Sequence, residues 1–454
     1  MAPMTKHAAP RRALQWALAF LVTNASLGDA NACTLAIKNV AVVAMTTPAI
    51  ARDQTVTLVG AKIAAIGPAP DTSRCGMVID GRGGFLGPGL TDAHVHVESG
   101  SFAPAFGAQP TPIDFDDVLA LYPAFGITSV RVMSGARDIL RFRDRAPGTH
   151  PVPRLVVASP MIAGRPPILA EPVTLVVETP EAAHAAVARF KSEGYDLIKL
   201  RENLRPDVHA ALVAAARDNA ISLDGHVTRG VAVDALLAAG QRGFAHLDEI
   251  ARAIASGGTS AAALKRHGAH VSSTMVVLDN AVRQIEDYDG LASRPQMRAL
   301  HPMFVDTFWS RAQNPYAKPG VDAAFFKQLL ALTKSTLHDL TREGVMILAG
   351  SDALNPMIIP GDGLHEELRL MVEAGLTPYE ALRTATVNPA RVIGRLANTG
   401  EIAPGRDADL VLLPANPLAD VAAYRRPDGV VLQGRWFDRA ALDSRLDDVA
   451  RRFR

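Results

Sequence analysis

Eight short apolar runs, separated by stretches of helical character, fill the middle of this chain and restrict its fold more than any other feature. They cover residues 85–96, 127–133, 154–159, 195–200, 221–227, 243–249, 269–276 and 345–352. The intervening segments carry helix signals, such as "TPEAAHAAVARFKSEG", opened by Thr-Pro and closed by Gly, and "RGVAVDALLAAG". This alternation predicts an α/β architecture, a (β/α)8 TIM barrel over residues 87–395. A doubly wound open sheet is the alternative, but no Gly-rich nucleotide loop follows the first strand. The flanks, residues 33–86 and 396–440, read as short β-rich runs broken by Pro, Gly and Asp, and they could pair into one small composite β-sandwich.

Hydrophobic residues make up 48% and charged residues 20%, which suits a globular enzyme with a large core. A formal net charge of +1 with no long basic run argues against a nucleic-acid groove. The first 32 residues differ from the rest: Lys6, Arg11 and Arg12 precede the apolar run "ALQWALAFLV", and small residues follow at "DANA". That order predicts an export signal over residues 1–32, hence a periplasmic or secreted protein. The apolar run is too short for a permanent membrane span. Cys33 and Cys75 are the two cysteines, and in an exported chain they could form one disulfide. A lipid-modified Cys33 is the other reading.

In such barrels the active site lies at the C-terminal ends of the strands. "DAHVH" ends the first run with His94 and His96, which share one face because side chains in a strand alternate. "YDLIKL" carries Lys199, "DGHV" carries His226, "GFAHLDE" carries His246, and "VMILAGSD" ends in Asp352. Four of the 13 histidines thus sit at these strand ends. Singly, each residue has an ordinary explanation: Lys199 could pair with Glu202, a lone His could be a bonded core residue, and Asp352 could cap a helix. Together on one face they point to a metal site.

The chain resembles the amidohydrolase superfamily from Thr34 to about Phe437. The resemblance rests on "DAHVH", Lys199, His226, His246, "AGSD" and the tail "GLHEELRLMVEAGLTPYEALRTATVNPARVIG…GEIAPGRDADLVLL". The tail is similar to the imidazolonepropionase-like and prolidase-like branches. Membership implies two divalent ions: His94, His96 and Asp352 would hold one, His226 and His246 the other, and Lys199 would bridge them as a carbamate formed with carbon dioxide. Zn²⁺ is the expected ion, although the same donors suit Mn²⁺, Co²⁺ or Fe²⁺. The ions would acidify a water, one would polarise a substrate carbonyl, and Asp352 would act as the catalytic proton carrier.

The resulting expectation is an exported hydrolase of a small molecule containing an amide-type C–N bond, in an N-acyl amino acid, dipeptide or cyclic amide. The alternatives are a lactone or ester hydrolase on the same site, and a mononuclear cyclic-amide hydrolase or deaminase. A homo-oligomer is compatible with the sequence. Thr228 stands where relatives often carry a carbonyl-polarising tyrosine. Arg229 could clamp a substrate carboxylate or open the next helix. His365 matches a histidine that faces the pocket in this branch, with a helix-start role as the alternative. Glu249 and the loop "AGRPPI", residues 163–168, are further candidates for the pocket.

Overall fold

The computed structural model describes residues 32–97, 114–145, 149–166 and 173–453. Residues 1–31, which carry the expected export signal, lie outside this set, as do Pro167 and Ile168 of the "AGRPPI" loop. Residues Cys33–Arg454 form one compact unit. No helix among the described residues is long and apolar enough to cross a membrane.

Each of the eight runs contains a strand: Leu90–Val95, Ile127–Val132, Arg154–Val157, Leu197–Leu200, Ser222–Gly225, Gly243–Ala245, His270–Ser273 and Met346–Ala349. We call these barrel strands one to eight. Neighbours within strands one to three and within strands four to eight pair in parallel, and helices intervene, so the polar strand ends share one side. The helix Pro180–Glu193 starts and stops as its sequence predicts. The Thr179 hydroxyl accepts from Ala182 N, Pro180 begins the first turn, and Gly194 closes the helix at a left-handed φ of 91°.

The ladder is not one continuous ring. Strands one to three form one sheet, and strands four to eight belong to a second, which also takes in Met161–Ala163 and Thr174–Val176. Isolated bridges, Ala158 with Leu197 and Val95 with Ala353, join the two at the seams. Both interruptions have local causes. Pro160 follows the first seam without an N–H to donate, and Asp352 at the second has a positive φ of 57°.

The flanks are knit into an eight-stranded sheet in which Leu410–Leu413 pairs antiparallel with Phe85–Pro88. Ile37, Leu58, Leu86, Leu410 and Val431 form its separate core. This corrects the reading of residues 85–96 as one strand: the run divides at Gly89, its first part joining the flank sheet and its second the barrel. A Cβ at Gly89 would come within 2.0 Å of Thr128 Oγ1, so only glycine permits the close passage. Cys33 and Cys75 form a disulfide, which occupies the thiol that a lipid on Cys33 would need. The helix Arg439–Arg452 extends beyond the boundary expected at 440 and anchors through Arg445, 2.9 Å from Asp117.

Inside the barrel, Arg131 of strand two pairs with Asp224 of strand five, and His270 of strand seven lies 2.9 Å from the same carboxylate. Burial by itself would raise Asp224, but Arg131 and His270 outweigh it and hold the carboxyl far below its usual range. Because the folded value is depressed, this stabilisation is complete above the unfolded carboxyl's pKa of about 3.9 and declines as pH falls below it. Arg131→Met, which strands the buried carboxylate, is expected to lower the unfolding free energy by about 3–5 kcal/mol in urea denaturation at neutral pH. A loss under about 1 kcal/mol would show that the pair does not brace the strands.

Candidate metal centre

The last residues of strand one and of strand eight build the best-formed part of the site. Period-two alternation sends Asp92, His94 and His96 to one face. Asp92, fully buried, accepts from Ser351 N at 2.9 Å and from Ser351 Oγ at 2.6 Å, tying "DAHVH" to "AGSD". Asp352 N then donates to His94 O at 2.8 Å. With the two strand ends fixed together, His96 Nε2 lies 3.0 Å and His94 Nε2 3.6 Å from Asp352 Oδ1. One donor atom from each of the three residues lies within 4.8 Å of the others.

The remaining predicted ligands gather beside this trio. The His246 ring centroid is 4.8 Å from that of His94 and 4.7 Å from that of His226, and His246 Nδ1 is 3.9 Å from Asp352 Oδ2. His246 and Asp352 both have positive φ, 64° and 57°, an unusual backbone state for these residues that serves to aim their side chains. Lys199 is 1% exposed, and its Nζ has no hydrogen-bond partner among the described residues; both ring nitrogens of His94 are equally unpartnered. Orphaned buried donors and acceptors of this kind need a ligand to satisfy them.

Electrostatics favour the neutral forms. Burial, then Lys199, keeps His94 well below the usual imidazole range; burial, Lys199 and Arg201 do the same for His226. Burial dominates for His246 as well. Burial and then Arg201 push Lys199 down to about 8. Asp352 behaves oppositely: burial would raise it, but His96, His246 and Lys199 outweigh that and keep it ionised. Neutral imidazoles, an anionic carboxylate and an amine within reach of its uncharged state are the donor set a divalent cation requires.

Several functional contacts were not anticipated from sequence. Ser134 Oγ lies 2.7 Å from His96 Nδ1, leaving Nε2 for the Asp352 side, and Thr274 Oγ1 lies 2.9 Å from His246 Nδ1. Glu249, expected only as a pocket candidate, also orients His226: one oxygen is 2.8 Å from His226 Nδ1 and the other accepts from Val227 N at 2.7 Å. Arg201 Nη1 lies 3.1 Å from His226 Nε2. Asp92 and Arg201 could have been found, since each is two residues from a predicted ligand and so on the same strand face. Tyr316, in the excursion between strands seven and eight, has its phenol pushed up to about 12 by burial and by the Asp352 and Asp248 carboxylates; no local pattern marks it.

The predicted substrate contacts divide. Arg229 Nη2 rests on Glu202 Oε1 at 3.1 Å, with its side chain 71% exposed. It borders a cavity of about 540 Å³ that Glu202, His226, Thr228, Glu249 and Arg252 also line. The buried Thr228 hydroxyl has no partner among the described residues. His365 is placed elsewhere, a correction to its expected role in the pocket. It is buried in the helix Asp362–Glu373 and its Nε2 donates to the carbonyl of Phe125, at 2.9 Å, just ahead of strand two. That bond ties its helix to the start of strand two, while its buried Nδ1 has no hydrogen-bond partner among the described residues.

The Amidohydrolase family profile matches residues 85–437. The chain is 26% identical over 404 residues to an adenine deaminase of Rubrobacter xylanophilus, an alignment covering 86% of this chain and 55% of that protein. It thus spans about half the length of that relative. It is also 36% identical over 91 residues to the ochratoxinase of Aspergillus niger, 20% of this chain and 18% of that one. Among solved structures, a prolidase complexed with N-methylphosphonate-L-proline superimposes with a TM-score of 0.71 at 21% identity, covering 89% of this chain and 99% of the other. A bottromycin amidohydrolase gives 0.69 at 24% identity, covering 91% and 90%. Those two likenesses speak for a shared TIM-barrel-like fold, and the profile, matched across most of the length, shows that the chain belongs to the amidohydrolase family.

Proposed function

We propose that this chain is a metal-dependent hydrolase that cleaves an amide-type C–N bond in a small molecule. The observation that carries the reading is the convergence of His94, His96 and Asp352 beside His246 and the buried, unpartnered Lys199. His94, His96 and Asp352 would hold one divalent ion and His226 and His246 the second, with a carboxylated Lys199 shared between them and Zn²⁺ the ion of choice for such donors. When bound, such ions supply Lewis acidity, acidifying a water and polarising a carbonyl. Asp352 moves the proton, taking it from the attacking water and delivering it to the leaving nitrogen. Ser134 and Glu249 hold the rings of His96 and His226 by their Nδ1 atoms, and Tyr316 keeps a neutral hydroxyl on the Asp352 side.

The same reading takes the seamed strands as a complete (β/α)8 barrel over 87–395, and the flank sheet as a composite β-sandwich. It takes residues 1–32 as an export signal; the Cys33–Cys75 disulfide supports an oxidising compartment, the periplasm or the exterior. For the substrate we favour an N-acyl amino acid or dipeptide, because Arg229 and Arg252 border the cavity at His226 and would attract a carboxylate. Ring deamination is the second reading, favoured by the long alignment with adenine deaminase. A screen of N-acyl amino acids, dipeptides, cyclic amides and aminopurines with metal-loaded protein decides between them; turnover of aminopurines alone would reject the amide reading.

Three further outcomes are expected. Protein equilibrated with excess Zn²⁺ and analysed for metal should hold two ions per chain, and Lys199→Ala should lower both metal content and activity, with no rescue by bicarbonate. A value of one ion at saturation would remove the second position. Asp352→Asn should fold and, at saturating metal, lose on the order of 10²–10⁴ in kcat, because an amide cannot accept the proton. Near-normal turnover by that variant would assign proton transfer to another group. Arg229→Ala should raise KM about fivefold, or ~1 kcal/mol, for carboxylated substrates over neutral ones, a modest effect because the guanidinium is largely exposed. Equal changes for both substrate types would remove the clamp.

A further inference from the structure

We propose that Arg201 is a built-in competitor for the second ion, its guanidinium and a divalent cation contesting the same lone pair of His226, so that the chain fills its two positions in a fixed order. The inference rests on the two-ion reading above and assigns it a sequence: the His94–His96–Asp352 position first, the His226–His246 position second.

Glu249 decides which nitrogen of His226 can bind a cation. Ionised, its carboxylate only accepts, and it lies 2.8 Å from Nδ1; because Arg201 at Nε2 can only donate, Nδ1 carries the proton and the lone pair is on Nε2. That lone pair faces Arg201 Nη1, at 3.1 Å. A zinc ion on the same nitrogen would sit about 2.0–2.1 Å away, within the space the N–H of Arg201 fills. The two cannot share the nitrogen, and both are positive, since a guanidinium is never neutral in a protein.

The guanidinium is also held in place. Arg201 Nε is 3.0 Å from Glu202 Oε2, and its Nη2 is 3.2 Å from Glu202 Oε1. Glu202 is itself fixed, for Arg229 N donates to its carbonyl at 2.7 Å and Arg229 Nη2 to its Oε1 at 3.1 Å. An arriving ion must therefore turn an anchored side chain aside. At the other position neither nitrogen of His94 has a hydrogen-bond partner among the described residues, and Asp352 contributes a negative charge. The first ion meets no guanidinium there, only the His96 Nε2–Asp352 Oδ1 contact at 3.0 Å.

The test is a titration of the chelator-treated full-length chain with Zn²⁺ alone, by calorimetry and by elemental analysis after dialysis at fixed free Zn²⁺. Wild-type protein should bind one ion tightly and a second at least tenfold more weakly. Arg201→Met, which keeps the length and removes the charge, should tighten the second ion at least tenfold and leave the first unchanged. Arg201→Gln provides the same comparison if the methionine variant does not fold. Two equally tight ions in the wild type, or a gap that neither variant narrows, would overturn the competition while leaving the two-ion reading intact. A wild-type chain that binds no divalent ion would overturn both.

Discussion

The seam between strand one and strand eight is the constraint on which the site depends. Asp92 grips Ser351 through its backbone N–H and its hydroxyl, and Asp352 N donates to His94 O. Those bonds join two chain segments that are about 260 residues apart in sequence and bring their side chains to one point. The spacing is tight: a Cβ at Gly350 would lie 2.6 Å from His94 Cβ, so the glycine of "AGSD" is required for the approach. If this seam opened, the imidazoles of "DAHVH" would have no carboxylate opposite them.

Burial sets the chemistry that the seam allows. Three imidazoles, an amine and a carboxylate occupy a region from which water is largely excluded, and the cost of keeping so many groups charged drives the bases toward neutrality. Asp352 stays anionic because its neighbours favour the negative form. The two halves of the site nevertheless differ. One has open donors around an anion, and the other faces a guanidinium held by Glu202. The asymmetry comes from Asp352 on one side and Arg201 on the other.

Much of this was legible in the chain. The eight barrel strands fall within the eight apolar runs, because a buried parallel strand needs nearly continuous apolar residues and its helix needs caps such as Thr179 and Gly194. The candidate site residues could be brought together from the sequence because strand ends on one face of such a fold must converge. The division of residues 85–96 at Gly89 was hidden, since both halves are apolar and the reason for the break is Thr128, which lies on another strand. His365 misled because a sequence match carries no information about the partner its ring will find, here the carbonyl of Phe125.

The sequence by itself determined the order of elements, the residue types at the strand ends and the faces they occupy, because alternation along a strand and capping of a helix act over a few neighbouring residues. Tertiary structure alone decided which atoms of those residues are available. Ser134 and Glu249 hold His96 and His226 by their Nδ1 atoms, Asp92 sets the distance from His94 to Asp352, and Arg201 confronts Nε2 of His226 with a cation. Each of these is a contact between segments from different parts of the chain, the Glu249 contact coming from the helix Leu247–Ala255. No local pattern encodes such contacts, since they exist only once the strands are packed side by side.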